Sequence, residues 1–414
     1  MPPDRDTIAR NLRDARENSG ISQQTAADHL GLSRTLIAQI ELGNRPVSAD
    51  ELTKLAGLYG QAVVDLVGAD FPSGDELLLV LFDLAPELLA RTARRRLDDV
   101  LTLCREAMAL ERSLGRTPQS EPPHYALSAP RTAADAIAQG EQVAGQERQR
   151  LGLGSVPLGS VSDLISSQAV RTSLVDLPDD LSGVFLRHES VGTAILINLR
   201  HANTRRRYAY AHEYAHALFD RERSVVVTKR GNATKLMERR ANAFASAFLL
   251  PATGVGEVLA AIGKGQPSRR AHIVFDVATE EAIRAEVRSA PGSQTITFQD
   301  VAAISRRFGT SYQAVVYRLL TLTVLSESDA KALLSQRSRA AAKQSAALFH
   351  ADLEDRTGRG PDGALELKEE IVHLAIDGYR RQVIDKLALA GIAAKLQLPQ
   401  LSAAKLLELA EAAR

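Results

Sequence analysis

The sequence predicts a mainly α-helical protein with one small α+β unit near its middle. Three observations carry this reading. The 414 residues are rich in Ala and Leu, contain no Trp and are only 4% aromatic, a composition that favours helix over sheet. Apolar residues recur at helical spacing through most of the chain, whereas convincing strand runs are confined to "GVFLRH" (183–188) and "TAILINL" (193–199). Ala27, Gly31 and Ile37 stand at the spacing of two short helices that cross through a tight turn.

A chain of this length accommodates roughly two to four domains. Residues 1–68 read as a compact helical bundle. Residues 75–113 are long apolar-periodic helix, interrupted at Pro86. "RTPQSEPPHYALSAPR" (116–131) holds four prolines and little apolar period, so it reads as a linker. A helix near 132–150, the two strand runs, and helices near 205–219 and 234–249 follow. From 295 onward the pattern is helical again, with a break at "DRTGRGPDG" (355–363). The amphipathic tail, striped by Leu367, Ile371, Leu374 and Ala375, carries too many acids for a membrane-surface helix and is expected to pack on the chain or on a second copy.

The net charge of +1 excludes a globally basic nucleic-acid binder, so any such binding must come from a local surface. One cysteine, Cys104, leaves no disulfide framework and no cysteine-based metal site. The N-terminus lacks an apolar signal core, and no run approaches the roughly 18 apolar residues of a membrane helix. A cytoplasmic protein without a membrane partner is therefore expected.

Ala27 is small enough for two helices to cross closely, Gly31 adopts a left-handed turn cheaply, and Ile37 faces back into the core. Ser22 is placed to cap the first helix, and Ser33 or Arg34 to open the second. Leu12, Leu30, Leu32, Ile40, Leu52 and Leu55 supply the surrounding core. Glu41 is expected to pair internally with Arg10 or Arg13. The stretch "SQQTAADHLGLSRTLIAQIELGNRPVSADELTKLA" (22–56) resembles the phage-repressor-like, Xre-type helix-turn-helix domains. The resemblance implies that Arg34, Thr35 and Gln39 meet base edges of a double-stranded operator, with Ser33 beside them. Gln23, Asn44 and Arg45 would meet phosphates. Seven basic against nine acidic residues make segment 1–68 net −2, which predicts modest affinity or a need for a homodimer.

"YAYAHEYAHALFD" (208–220) carries the second signal. His212 and His216 are one helical turn apart, so both rings point the same way, and Glu213 stands on the neighbouring face. Two such histidines with an adjacent glutamate are the pattern of a zinc peptidase helix. A catalytic zinc takes a third protein ligand. Glu238, on the helix "LMERRANAFASAFLLP" (236–251), is favoured, because an antiparallel helix brings its start back to the first. Glu222 is the rival but would need a sharp reversal. Asp220 can orient the His216 ring, and Asn242, on the face of Glu238, can hold that helix or a substrate backbone. Tyr208 and Tyr214 read as packing residues, and His188, His201, His272, His350 and His373 as surface or structural.

A strand ending "ILIN", then "RRRYAYAHEYAHALF", then "ERRANAFASAFLLP", resembles the ImmA/IrrE-type metallopeptidases across about 130–325. The resemblance implies that His212, His216 and Glu238 bind Zn2+ and that Glu213 is the catalytic base. Tyr214-Ala215 departs from the smaller or Gly-containing pairs of many members. The expected organisation is then a helix-turn-helix domain (1–68), a helical connector with a Pro-rich linker (69–131), a zincin-like α+β metallopeptidase domain (132–260), a helical subdomain (261–330) and a helical C-terminal region (331–414). In the 261–330 subdomain, Ser305, Gly309 and Val315 repeat the helix-turn-helix spacing. Gly309 as a simple turn between helices is the preferred reading there.

The resemblance implies a DNA-binding transcription regulator that cleaves a protein substrate, a partner repressor, often in a stress response. The rival is a regulator that uses the metallopeptidase-like domain only as a sensor or partner-binding module. The residues from about 128 onward are expected to fold on their own.

Overall fold

The computed structural model describes residues 5–59, 63, 66, 76–89, 91–116, 122–229, 235–265, 269–276, 281–288, 290, 292–336, 364–396 and 403–411. The predicted break at 355–363 and His350 lie outside them.

Helices α1 (Arg5–Asn18), α2 (Gln23–Leu30), α3 (Arg34–Glu41) and α4 (Ala49–Tyr59) enclose their own core of Leu12, Ala27, Ile37, Ile40, Leu52 and Leu55. Ser22 caps α2 by accepting from Thr25 N, and Ser33 caps α3 by accepting from Leu36 N. Between them Gly31 takes φ +67°, the left-handed turn its lack of a Cβ permits. Glu41 is buried and paired, but its partner is Arg16 rather than Arg10 or Arg13: Arg16 Nε and Nη2 lie 2.7 and 3.1 Å from its carboxylate oxygens. Arg13 points outward to Glu17, three residues short of the turn that brings Arg16 over α3.

Pro86 stops the next helix as its ring must. Helix α5 (Glu76–Leu84) gives way to a 3-10 turn (Pro86–Leu89) and then α6 (Arg91–Ser113). Residues 122–131 are irregular yet not free: Tyr125 N donates to Leu218 O, and Tyr125 and Leu127 pack on the central core.

The centre of the molecule is a four-stranded sheet of β1 (Arg171–Val175), β2 (Leu181–His188), β3 (Gly192–Asn198) and β4 (Val225–Lys229), in the order β1-β3-β2-β4. The β1–β3 pair is parallel and the others antiparallel. Strand side chains alternate between faces. Phe185, Ile195, Ile197 and Val226 share one core with α7 (Ala133–Arg150), α9 (Asn203–Phe219) and α10 (Leu236–Leu249). A short α8 (Val161–Ser166) joins this layer. Val184, Leu186, Ala194, Leu196, Val225 and Val227 face the other way. Their cover is α5, α6 and the C-terminal helix α15 (Leu365–Arg380), on which α16 (Lys386–Leu396) and α17 (Ala403–Glu411) pack. The connector and the tail thus close the sheet's second face, which a chain beginning near residue 128 would leave without the connector's share.

A third cluster joins α11 (Ala252–Ala261), α12 (Phe298–Phe308), α13 (Tyr312–Thr321) and α14 (Glu327–Ser335). The sequence reading expected only helix here, but β5 (Arg269–Asp276) and β6 (Glu281–Arg288) form an antiparallel hairpin. Gly309, at φ +61°, turns α12 into α13, and Ser305 and Val315 are buried as the spacing requires. Arg318 of α13 points inward, donating to Leu250 O and pairing with Glu141, so this helix pair packs as a structural unit.

Candidate metal centre

Helix α9 lies between the sheet and α10, and every residue from Ala209 to Asp220 is buried. Arg207 anchors its first half by donating to the carbonyls of Leu158 and Gly159. One turn apart, His212 and His216 present Nε2 atoms 3.2 Å from each other. Glu238 reaches them from the first turn of α10: its Oε2 is 3.1 Å from His212 Nε2, and its Oε1 is 4.0 Å from His216 Nε2. Among the described residues these three form the group whose ligand atoms lie within 4.8 Å of one another. Glu222, the rival ligand, is exposed beyond the end of α9.

The ring nitrogens facing away are held by oxygens. His216 Nδ1 lies 2.8 Å from Asp220 Oδ2, and His212 Nδ1 lies 3.0 Å from Asn242 Oδ1. Each Nδ1 therefore donates, and each Nε2 presents a lone pair to the same point as the Glu238 carboxylate. Two nitrogen lone pairs and a carboxylate converging in a buried space repel unless a cation sits among them. Tetrahedral ligands about 2.0–2.1 Å from a zinc ion stand about 3.3 Å apart, close to the spacing here. The donor set therefore fits a divalent metal.

The electrostatics agree with a site built for charge. Burial by itself pushes His216 down and Glu238 up, since it penalises the charged form of each, and neighbours override it in both. The Asp220 bond and the Glu213 and Glu238 charges carry His216 above its ordinary value, while the His212 bond and the histidine charges hold Glu238 below its own. Glu213 differs: burial dominates and pushes its carboxyl up, against the pull of both histidines. Its two oxygens are buried; the Thr228 hydroxyl of β4 lies close enough to pull its pKa down, but not in good hydrogen-bond geometry. A buried carboxylate with a raised pKa beside three convergent ligand atoms is chemically able to accept a proton.

Tyr208 and Tyr214 pack and tie elements together, through Asn242 O and Glu147. Three participants escaped the sequence reading. Arg240, two residues after Glu238, donates to Asp220 Oδ1 at 2.7 Å. Thr228 and Gly183 border Glu213 from β4 and β2. Only the "SGVF" glycine hinted at one of them, as a strand position where something approaches closely.

In the N-terminal bundle, Arg34 and Thr35 are exposed on α3 and Gln39 is half-buried, while Ile37 and Ile40 face the core. Ser33 is occupied as the α3 cap. Gln23 donates to Glu41 at 2.8 Å, Arg45 pairs with Glu51 at 2.7 Å, and Asn44 is exposed. Leu36, exposed in the first turn of α3, was not singled out by the sequence.

Comparison with known families finds two domain types in the chain. Residues 7–67 match the family model of a helix-turn-helix domain, and residues 174–280 match that of the IrrE N-terminal-like domain of the M78 peptidases. No curated protein matches the chain. One chain thus joins a helix-turn-helix domain to an IrrE-like peptidase-family domain. Among the described residues no single helix is long and apolar enough to cross a membrane.

Proposed function

We propose that the chain is a DNA-binding transcription regulator whose zinc metallopeptidase domain hydrolyses a peptide bond in a partner repressor or other regulatory protein. The reading takes the protein to be cytoplasmic and to bind its operator as a homodimer. The observation that carries the peptidase reading is Glu213: an intact, fully buried carboxylate one residue from His212, with the Thr228 hydroxyl beside it. A purely structural metal site needs no such group.

His212, His216 and Glu238 would hold Zn2+, with Asp220 and Asn242 fixing the two rings. Bound there, the ion would supply Lewis acidity and lower the pKa of water towards neutrality. Glu213 accepts the proton of the attacking water and returns it to the departing amine. Burial raises its pKa, which makes it a stronger proton acceptor than an ordinary glutamate carboxylate.

One observation favours the sensor reading in its place. His212, Glu213, His216 and Glu238 are each at most 3% exposed, so a polypeptide substrate reaches them only after the surrounding elements move. The test incubates wild type and Glu213→Gln with candidate partner repressors, with and without lysate from DNA-damaged host cells. Cleavage by wild type alone supports the peptidase. Identical cleavage and reporter output from both proteins under every condition transfers the function to the sensor reading.

A further inference from the structure

The acid behind His216 does not stand alone. Asp220 forms the C-terminal cap of α9, its backbone N–H bonded to His216 O, and its side chain is nearly buried. One carboxylate oxygen meets His216 Nδ1 at 2.8 Å, and the other accepts from Arg240 Nη2 at 2.7 Å. Arg240 is 5% exposed and comes from α10, the helix that also carries Glu238. Its guanidinium carbon lies 5.0 Å from the centre of the Phe219 ring. Its backbone is pressed against α7, since a Cβ on Gly140 would lie 2.4 Å from Arg240 O. The guanidinium thus has the Phe219 ring on one face, and its Nη1 lies 3.4 Å from Gln139 Oε1 of α7, besides its bond to Asp220.

This matters for the charge and the geometry of the centre. Glu213, Glu238 and Asp220 are three buried carboxylates. A divalent cation and one guanidinium together neutralise them, whereas the cation alone leaves an uncompensated buried charge. A carboxylate at a helix end, bonded to one imidazole only, is also free to rotate. A planar guanidinium on its second oxygen removes that freedom.

We propose that Arg240 is a positioning residue of the metal centre, locking Asp220 so that His216 Nε2 is aimed at the ion. The proposal rests on the metal reading above. Arg240 touches neither ion nor substrate and acts through Asp220.

The test uses the full chain loaded with Co2+ or Zn2+, and reads affinity by chelator competition and the Co2+ visible spectrum. Arg240→Met should weaken binding by about 10–100-fold, the usual cost of losing a partner behind a metal ligand, and shift the spectrum. Arg240→Lys, which keeps the charge and a donor, should recover part of the affinity, and it supplies a folded variant should Arg240→Met not fold. Combined with Asp220→Asn, Arg240→Met should cost nothing further, because its path to the metal is already cut. Wild-type affinity and spectrum in Arg240→Met and Arg240→Lys, or fully additive losses in the double variant, overturn the proposal. A wild-type chain that binds neither ion overturns the metal reading, and the proposal with it.

Discussion

A Cβ on Gly183 would stand 2.7 Å from Oε1 of Glu213 and 2.9 Å from its Cγ. The carboxylate thus occupies space that only a glycine in β2 leaves open. Ile197 of β3 closes the same space from the other side, with its Cδ1 at 2.9 Å. Gly183→Ala must therefore push Glu213 away, since backbone and core give little. It should bind metal as wild type does, because no ligand is touched, and lose about 10²-fold in peptidase turnover. Undiminished turnover with normal metal content would show that the base sits elsewhere during catalysis.

Glu213 also carries a stability cost that depends on pH. Its carboxyl titrates above the ordinary glutamate value in the fold, chiefly because burial penalises the anion. A group with a raised folded pKa favours the native state at low pH and loses that contribution as pH rises through the folded value. In chelator-treated protein, Glu213→Gln should therefore melt higher than wild type at pH 8. The gap should shrink steadily on acidification. A gap that is constant, or that widens at low pH, would contradict the assigned direction.

The DNA-reading end separates two roles. Arg34→Ala and Gln39→Ala should flatten discrimination among operator sequences by about 1–3 kcal/mol per lost contact, with little change in fold. Glu41→Ala removes the main partner of the buried Arg16 guanidinium, leaving it Glu17 and the Ile21 carbonyl, and unpairs the Gln23 amide, so it should destabilise the bundle by about 1–3 kcal/mol. Operator-binding titrations and thermal melts of each variant distinguish the two. Equal loss of binding at all sequences after Arg34→Ala would reassign it to phosphate contact.

What the sequence showed and what it hid follows from distance along the chain. His212, Glu213 and His216 declare themselves because one helical turn brings them together, and Asp220 follows at the same spacing. Strands β2 and β3 are legible because both faces are buried, giving unbroken apolar runs. Strand β1, "RTSLV", is not: its Arg171 is buried against the carboxylates of Glu111 and Glu370, both far away in the sequence. Arg240 reads as a surface charge until α9, α7 and α10 close around it. Contacts made between elements leave no period in the sequence.

The last prediction concerns where the protein can be cut. The proline content of 116–131 suggests a hinge, yet Tyr125 bonds Leu218 through its backbone and Glu147 through its hydroxyl. More important is the far face of the sheet. Val184, Leu186, Ala194, Leu196, Val225 and Val227 are each at most 6% exposed, under Leu97, Leu101, Cys104 and their neighbours on α6 and Leu367, Ile371 and Leu374 on α15. A fragment starting at 128 bares much of this face, and fully burying one such aliphatic side chain is worth about 1.5–3 kcal/mol. A few such losses reach the whole stability of a typical domain. The fragment should aggregate or bind a hydrophobic dye, with broad melting, while one starting at 76 should stay soluble and melt cooperatively. The helix-turn-helix bundle has its own core and meets the covering layer where α4 packs on the 3-10 turn (Pro86–Leu89), so removing residues 1–59 should leave metal binding intact. A monomeric 128–414 fragment that melts as sharply as the full chain and binds Zn2+ equally would show that α5 and α6 merely rest on the sheet. On the packing seen here they are part of its core, which makes α5 and α6 structural members of the unit that holds the candidate metal centre.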